Sequence, residues 1–174
     1  MSKFIIIGII ILAIAGGGIL LLTQGGTPGE QQGTTSTGDG RQLPDLTFTD
    51  YEGNSVALAD FTGKPLVVNA WAAWCPFCVK ELPDFALLQK EFPEIVVIAI
   101  DRQESLNTAK SYTDDLGITE DLVFLLDRKD SFYRSIGGFS MPETIFVDKE
   151  GVIQNHKRGI MSLDEMKRQV EKIL

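Results

Sequence analysis

The chain has 174 residues, a formal net charge of −8 and 44% hydrophobic residues, enough for one ordinary domain with additional segments. The acidic balance argues against nucleic acid or an anionic membrane surface as the main partner. With 2 cysteines and 1 histidine, the chain cannot build a disulfide-stapled scaffold and falls short of the usual donor set of a zinc site.

Residues 4–22 are an uncharged run of apolar residues and glycine. As a helix this run measures ~28 Å, close to the hydrocarbon thickness of a bilayer. Lys3 precedes it, and no further Lys or Arg occurs before Arg41. The positive-inside rule then puts the N-terminus in the cytoplasm and the rest of the chain outside. Ala13-Ile14-Ala15 looks like a signal-peptide cleavage site, but Gly16 to Leu22 continues the apolar run past it. Residues 1–22 are therefore read as an uncleaved transmembrane signal anchor, and no cysteine follows the run to carry a lipid. Residues 23–42, rich in Gly, Thr, Gln and Ser, read as a flexible linker with a typical reach of ~25 Å.

The folded domain is expected over residues 43–174. Leu46 to Thr49 and Ser55 to Leu58 flank a turn at Tyr51-Glu52-Gly53-Asn54 and predict a hairpin. Pro65 to Trp71 is a buried-strand run. Cys78 to Phe92 has helical spacing, with Leu82, Phe85, Leu88 and Phe92 on one side and a kink expected at Pro83. Glu94 to Ile100 predicts a strand, Ser105 to Leu116 a helix ended by Gly117, and Leu122 to Leu126 another strand. A short helix over Arg128 to Ile136 precedes a strand at Glu143 to Val147. That strand turns at Lys149-Glu150-Gly151 into a return strand over Val152 to Lys157. Leu163 to Leu174 closes the chain as an amphipathic helix. Strands alternating with helices imply an α/β domain with a mostly parallel sheet covered on both faces, the last hairpin adding an antiparallel edge.

The two cysteines fall in Trp74-Cys75-Pro76-Phe77-Cys78, between a buried strand and a helix. A thiolate is the nucleophile of disulfide exchange, and a helix N-terminus stabilises it through unpaired N–H groups and the helix dipole. Cys75 is placed to attack and Cys78 to resolve the mixed disulfide. Pro76 suits the first helical turn, where its missing N–H costs nothing. A structural disulfide closing so short a loop would add little stability.

With Leu66-Val67-Val68-Asn69-Ala70-Trp71-Ala72-Ala73-Trp74-Cys75-Pro76-Phe77-Cys78, then Glu81 and Pro83, then Ser140-Met141-Pro142-Glu143-Thr144, the chain resembles the membrane-anchored TlpA/ResA/CcmG-like thiol–disulfide oxidoreductases of the thioredoxin superfamily. The resemblance implies a thioredoxin-like fold with a central mixed sheet, an N-terminal β-hairpin and a helix–strand unit inserted between Asp101 and Asp127. It makes Pro142 a cis-proline lying against the dithiol, leaving the Met141 backbone to pair with an extended substrate. It makes Glu81 the proton acceptor for Cys78, against the plain alternative of a solvated helix glutamate. Asn69 stands where thioredoxin proper has a buried aspartate, which moves the proton role toward Glu81. Glu143 is read either as a contact of the site or a partner, or as a loop-end surface charge. Trp74 and Phe77 are expected at the surface beside Cys75, and Trp71 in the core. His156 is expected at the surface of an edge strand.

The implied activity is reduction of disulfides in exported proteins. Electrons would come from an integral-membrane thiol carrier, and apocytochrome c is one possible target. No cofactor or metal is expected beyond the Cys75–Cys78 couple, and a monomer suffices. Two rivals stand beside this reading. One is an oxidant that inserts disulfides, which only a reduction potential separates. The other is a copper-binding or metallochaperone domain, which needs His156 to approach Cys75.

Overall fold

The computed structural model describes residues 35–37 and 40–174. The expected anchor at residues 1–22 lies outside the described residues, and among these no helix is long and apolar enough to cross a membrane.

Among the described residues eight strands form one sheet: β1 (Thr35–Thr37), β2 (Thr47–Asp50), β3 (Ser55–Ala57), β4 (Leu66–Trp71), β5 (Val96–Arg102), β6 (Val123–Asp127), β7 (Glu143–Val147) and β8 (Ile153–Arg158). Their spatial order is β1-β8-β7-β4-β5-β6-β2-β3. Among the described residues the helices are α1 (Pro76–Glu91), α2 (Leu106–Asp115), α3 (Ser131–Ser135) and α4 (Leu163–Val170), with a 3-10 turn at Leu58–Phe61. The helix–strand insert is α2 with β6, between Asp101 and Asp127.

The sheet is mixed rather than mostly parallel. Only β4–β5 and β5–β6 run parallel, because only these pairs are joined by helical crossovers. The hairpins β2–β3 and β7–β8 dock antiparallel onto β6 and β4. The last hairpin is not an edge, because β7 lies against the central strand β4 and β1 covers β8. Strand β1 falls within the stretch read as linker. Beyond it the chain continues along the domain, with a bridge between Gln42 and Val152 and a hydrogen bond from Leu43 N–H to Gly151 O.

The period-2 pattern of the strands separates two apolar layers. Leu66, Val68 and Ala70 of β4 join Ile98, Ile100, Leu125 and Ile145 beneath Leu58, Phe132 and Ile136. Val67 and Trp71 face the other way with Val97, Ala99 and Phe124, against Leu82, Phe85 and Leu88 of α1 and Met166 and Val170 of α4. Helix α1 continues through Pro83, whose missing N–H leaves the Val79 carbonyl without its usual helical donor.

Candidate active site

Strand β4 ends at Trp71, and the chain reaches the N-terminus of α1 within the next few residues. Register places Asp101 of β5 opposite Trp71 and Glu143 of β7 opposite Ala70. The ends of β4 and β5 and the start of β7 therefore meet where the dithiol emerges. Cys75 is the N-cap of α1, and its sulfur accepts the Cys78 N–H at 3.2 Å. Pro76 occupies the first turn as expected. Cys75 and Cys78 are joined as a disulfide with Cα atoms 5.3 Å apart, and both are buried. Around them Trp74 and Phe77 are exposed at 62% and 49%, while Trp71 is fully buried and packs edge-on to Phe124.

Glu81 is not a solvated helix glutamate. It is buried in the core beside Cys78, where helical spacing sets it one turn further along α1. One carboxylate oxygen accepts the Met161 N–H at 2.7 Å, and the other has no partner among the described residues. Burial raises its pKa to about 8, outweighing the Met161 hydrogen bond. Asn69 spends its side-chain N–H groups on Thr144 Oγ1 at 2.9 Å and Glu143 O at 3.4 Å, tying β4 to β7.

The Met141–Pro142 peptide bond is cis, as expected. Pro142 is buried and its carbonyl accepts the Gly159 N–H, whereas the Met141 backbone makes no hydrogen bond among the described residues. Met141 packs against the core cluster that contains Cys75 and Cys78.

Two expectations are corrected on the far side of this loop. Glu143 is no surface charge and offers no carboxylate to a partner, because it is completely buried. One oxygen accepts the N–H groups of Phe139 and Ser140 at 2.5 and 2.7 Å, and the other pairs with His156 Nε2 at 2.6 Å. Burial by itself would raise the Glu143 pKa. The His156 bond and the two backbone donors outweigh it and hold the carboxyl below its ordinary value. His156 is likewise buried, opposite Ile145 of β7, and β1 pairs along β8 at Ser36, so the free edge on which it was expected to lie is not there. Its Nε2 is engaged by Glu143 rather than directed at Cys75, and among the described residues no group of three or more His, Cys, Asp or Glu could hold a metal ion.

The loop before Pro142 is pinned from behind by residues that the sequence did not single out. Tyr133 donates its hydroxyl to Ser140 O at 2.9 Å, and Arg102 lies over the Tyr133 ring at 3.4 Å while gripping Asp130 through two 2.7 Å bonds. Phe139 is left exposed at 86%. The sequence signal was the Gly137-Gly138 pair before Pro142, which marks a tight backbone approach but does not say against which ring.

The Redoxin family model matches residues 38–174. The chain belongs to the Redoxin family. Among relatives of this Redoxin-family chain, the thioredoxin-like protein YneN of Bacillus subtilis is 32% identical over 76% of this chain and 79% of its own length. The thiol-disulfide oxidoreductase ResA of Geobacillus thermodenitrificans is 29% identical over 80% of each chain. The pneumococcal exposed lipoprotein thioredoxin Etrx1 of Streptococcus pneumoniae is similar in structure, with a TM-score of 0.62 and 26% identity over 74% of this chain and 99% of that one. The chain is a thiol–disulfide oxidoreductase of thioredoxin-like fold, with Cys75-Pro76-Phe77-Cys78 as its redox motif and disulfide-bearing molecules as substrates.

Proposed function

We propose that this oxidoreductase is tethered to a membrane by residues 1–22 and reduces disulfides of exported proteins on the outer face. The observation that carries the reading is one chain holding an uncharged apolar run at 4–22 and a dithiol at a helix N-terminus. The exposed-lipoprotein name of one structural neighbour supports an extracytoplasmic setting.

In the reduced protein, the Cys75 thiolate attacks one sulfur of the substrate disulfide, and the other substrate sulfur leaves as a thiolate. Cys78 passes its proton to the Glu81 carboxylate and attacks Cys75 in the mixed disulfide. This releases the second substrate thiol and forms the Cys75–Cys78 disulfide. With a pKa near 8, Glu81 can take up and return that proton near neutral pH. Trp74, Pro76 and Phe77 present an exposed frame for the segment around the substrate cysteine. The Met141 backbone is available to pair with that segment as an added strand. The electron pair returns from an integral-membrane thiol carrier, and no further cofactor is needed. Cytochrome c maturation is one process that consumes such reducing power.

The test is the reduction potential of the Cys75–Cys78 couple in the full chain, equilibrated in dithiothreitol or glutathione buffers. A value near or below about −250 mV supports a reductant, and a value near about −120 mV makes the protein an oxidant that introduces disulfides.

A further inference from the structure

The two loops of the active site, one leading into Cys75 and the other into Pro142, are both reached from the turn that follows β5. Arg102 closes β5, and Gln103 after it is exposed, with a φ of 65° in the left-handed region that few side chains adopt. The Gln103 N–H is held by Asp127 O at 3.1 Å, and the next N–H, that of Glu104, by Asp101 Oδ1 at 3.0 Å. Ser105 then caps α2. In a continuing strand Arg102 and Glu104 would point to the same face of the sheet. The turn at Gln103 sends them to opposite faces. Glu104 Oε2 accepts the Ala73 N–H at 2.7 Å, and Ala73 packs against the α1-side core two residues before Cys75. Arg102 is fixed by both Asp130 oxygens at 2.7 Å and lies over the Tyr133 ring at 3.4 Å, and Tyr133 packs against the other core layer. The Tyr133 hydroxyl donates to Ser140 O at 2.9 Å, two residues before Pro142. Glu143 ties the same loop to β7, and the Tyr133 hydroxyl connects it to the β5 turn.

We infer that Arg102, Gln103 and Glu104 form a positioning brace that fixes the spacing between the Cys75 sulfur and the Met141 backbone. A polypeptide substrate must present its sulfur to Cys75 while its backbone pairs at Met141, so its rate depends on that spacing. A small disulfide meets only the thiol and does not sense it. Gln103 is the strained point of the brace. A left-handed conformation at a residue other than glycine persists where its surroundings over-determine it, and the bonds to Asp127 and Asp101 on either side of Gln103 do so. The far end of each arm is a backbone group of a loop rather than a side chain, so the brace holds the course of both loops. Its role rests on the proposed function, in which Cys75 attacks and the substrate strand lies at Met141.

The experiment uses the reduced full chain in detergent. It compares rate constants for a synthetic peptide with one disulfide and for a small aromatic disulfide, dithiobis-nitrobenzoate. Glu104→Ala cuts the brace at the Cys75 loop. Tyr133→Phe cuts it at the Pro142 loop and keeps the ring beneath Arg102. Each should slow the peptide about fivefold and the small disulfide less than about twofold. The double variant should slow the peptide no more than about tenfold, whereas two independent contacts would multiply to about 25-fold. Glu104→Gln keeps an acceptor oxygen for the Ala73 N–H and should bring the peptide rate back to within about twofold of wild type. Circular dichroism and urea midpoints establish that each variant is folded. A multiplicative loss in the double variant overturns the common brace, and equal slowing of both substrates overturns its role in spacing. Unchanged peptide rates in both single variants overturn it altogether, and a folded Glu104→Gln chain as slow as Glu104→Ala overturns the Ala73 tie. A peptide N-methylated beside its cysteine, and so unable to pair fully at Met141, separates the brace from the reading beneath it. If wild type reduces it as fast as the parent peptide, the substrate-strand reading fails and the brace falls with it. If the methylated peptide is slower while the double variant's loss is multiplicative, the brace alone fails.

Discussion

At the scale of the residue, Glu81 carries the sharpest consequence. Its folded pKa of about 8 lies above its free value of 4.5. The folded state therefore keeps a proton that the unfolded state has released across that window. The stabilising effect of that proton is fully present below the free value and is lost as the pH rises toward 8. A non-titrating Glu81→Gln chain lacks this loss, so its urea midpoint relative to the wild type should rise from about pH 5 to about pH 8. The same variant should slow resolution of the mixed disulfide roughly 100-fold, read by quenched-flow mass spectrometry, while leaving the first attack by Cys75 little changed. Trp74 predicts the opposite separation. It is largely exposed, so Trp74→Ala should shift stability by less than about 0.5 kcal/mol. It should instead raise KM for a disulfide-bearing polypeptide without affecting a small aromatic disulfide. The positions of Cys75, Cys78 and Pro76 were legible in the sequence because they depend on local placement at a helix start. Those of Glu143 and His156 were not. Glu143 is buried because β7 lies between β4 and β8, and His156 lies beside it on β8, which β1 pairs along although Thr35–Thr37 has no apolar pattern to announce a strand.

At the scale of the element, the loop from Gly137 to Pro142 is built against α3 and β7 rather than left to solvent. A Cβ on Gly138 would come within 2.5 Å of the Tyr133 ring, which is stacked under Arg102 and cannot yield cheaply. Gly138→Ala should therefore destabilise the fold by about 2 kcal/mol, seen as a lower urea midpoint. Because the strain falls on the segment carrying Met141, exchange with polypeptide substrates should weaken as well. Apart from β1, the individual strands and helices were readable from apolar periodicity, including α2 and β6. Which strands lie beside which was not readable from periodicity alone. A buried strand has the same apolar pattern in a parallel or an antiparallel pair, and the pattern that reads the last hairpin as an antiparallel edge does not show that β7 lies against β4 or that β1 covers β8.

At the scale of the whole molecule, the proposed tether sets where the chemistry happens. The full chain should sediment with membranes and resist extraction by salt or carbonate. Its catalytic domain should be cleaved by protease added to the outer face of intact cells stripped of their wall. Recovery of the full-length chain in the soluble fraction would contradict the anchor. The direction of electron flow belongs to this scale too, because it is set by the couple's potential against that of its compartment rather than by any single contact.

The most direct test of the account is capture of the covalent intermediate. The reduced Cys78→Ser chain is mixed with a peptide containing one disulfide, and the products are separated under non-reducing conditions and mapped by mass spectrometry. The account predicts a stable mixed disulfide through Cys75, and no comparable adduct from Cys75→Ser. An adduct through Cys78 in the Cys75→Ser chain, formed as fast and to the same yield, would contradict it.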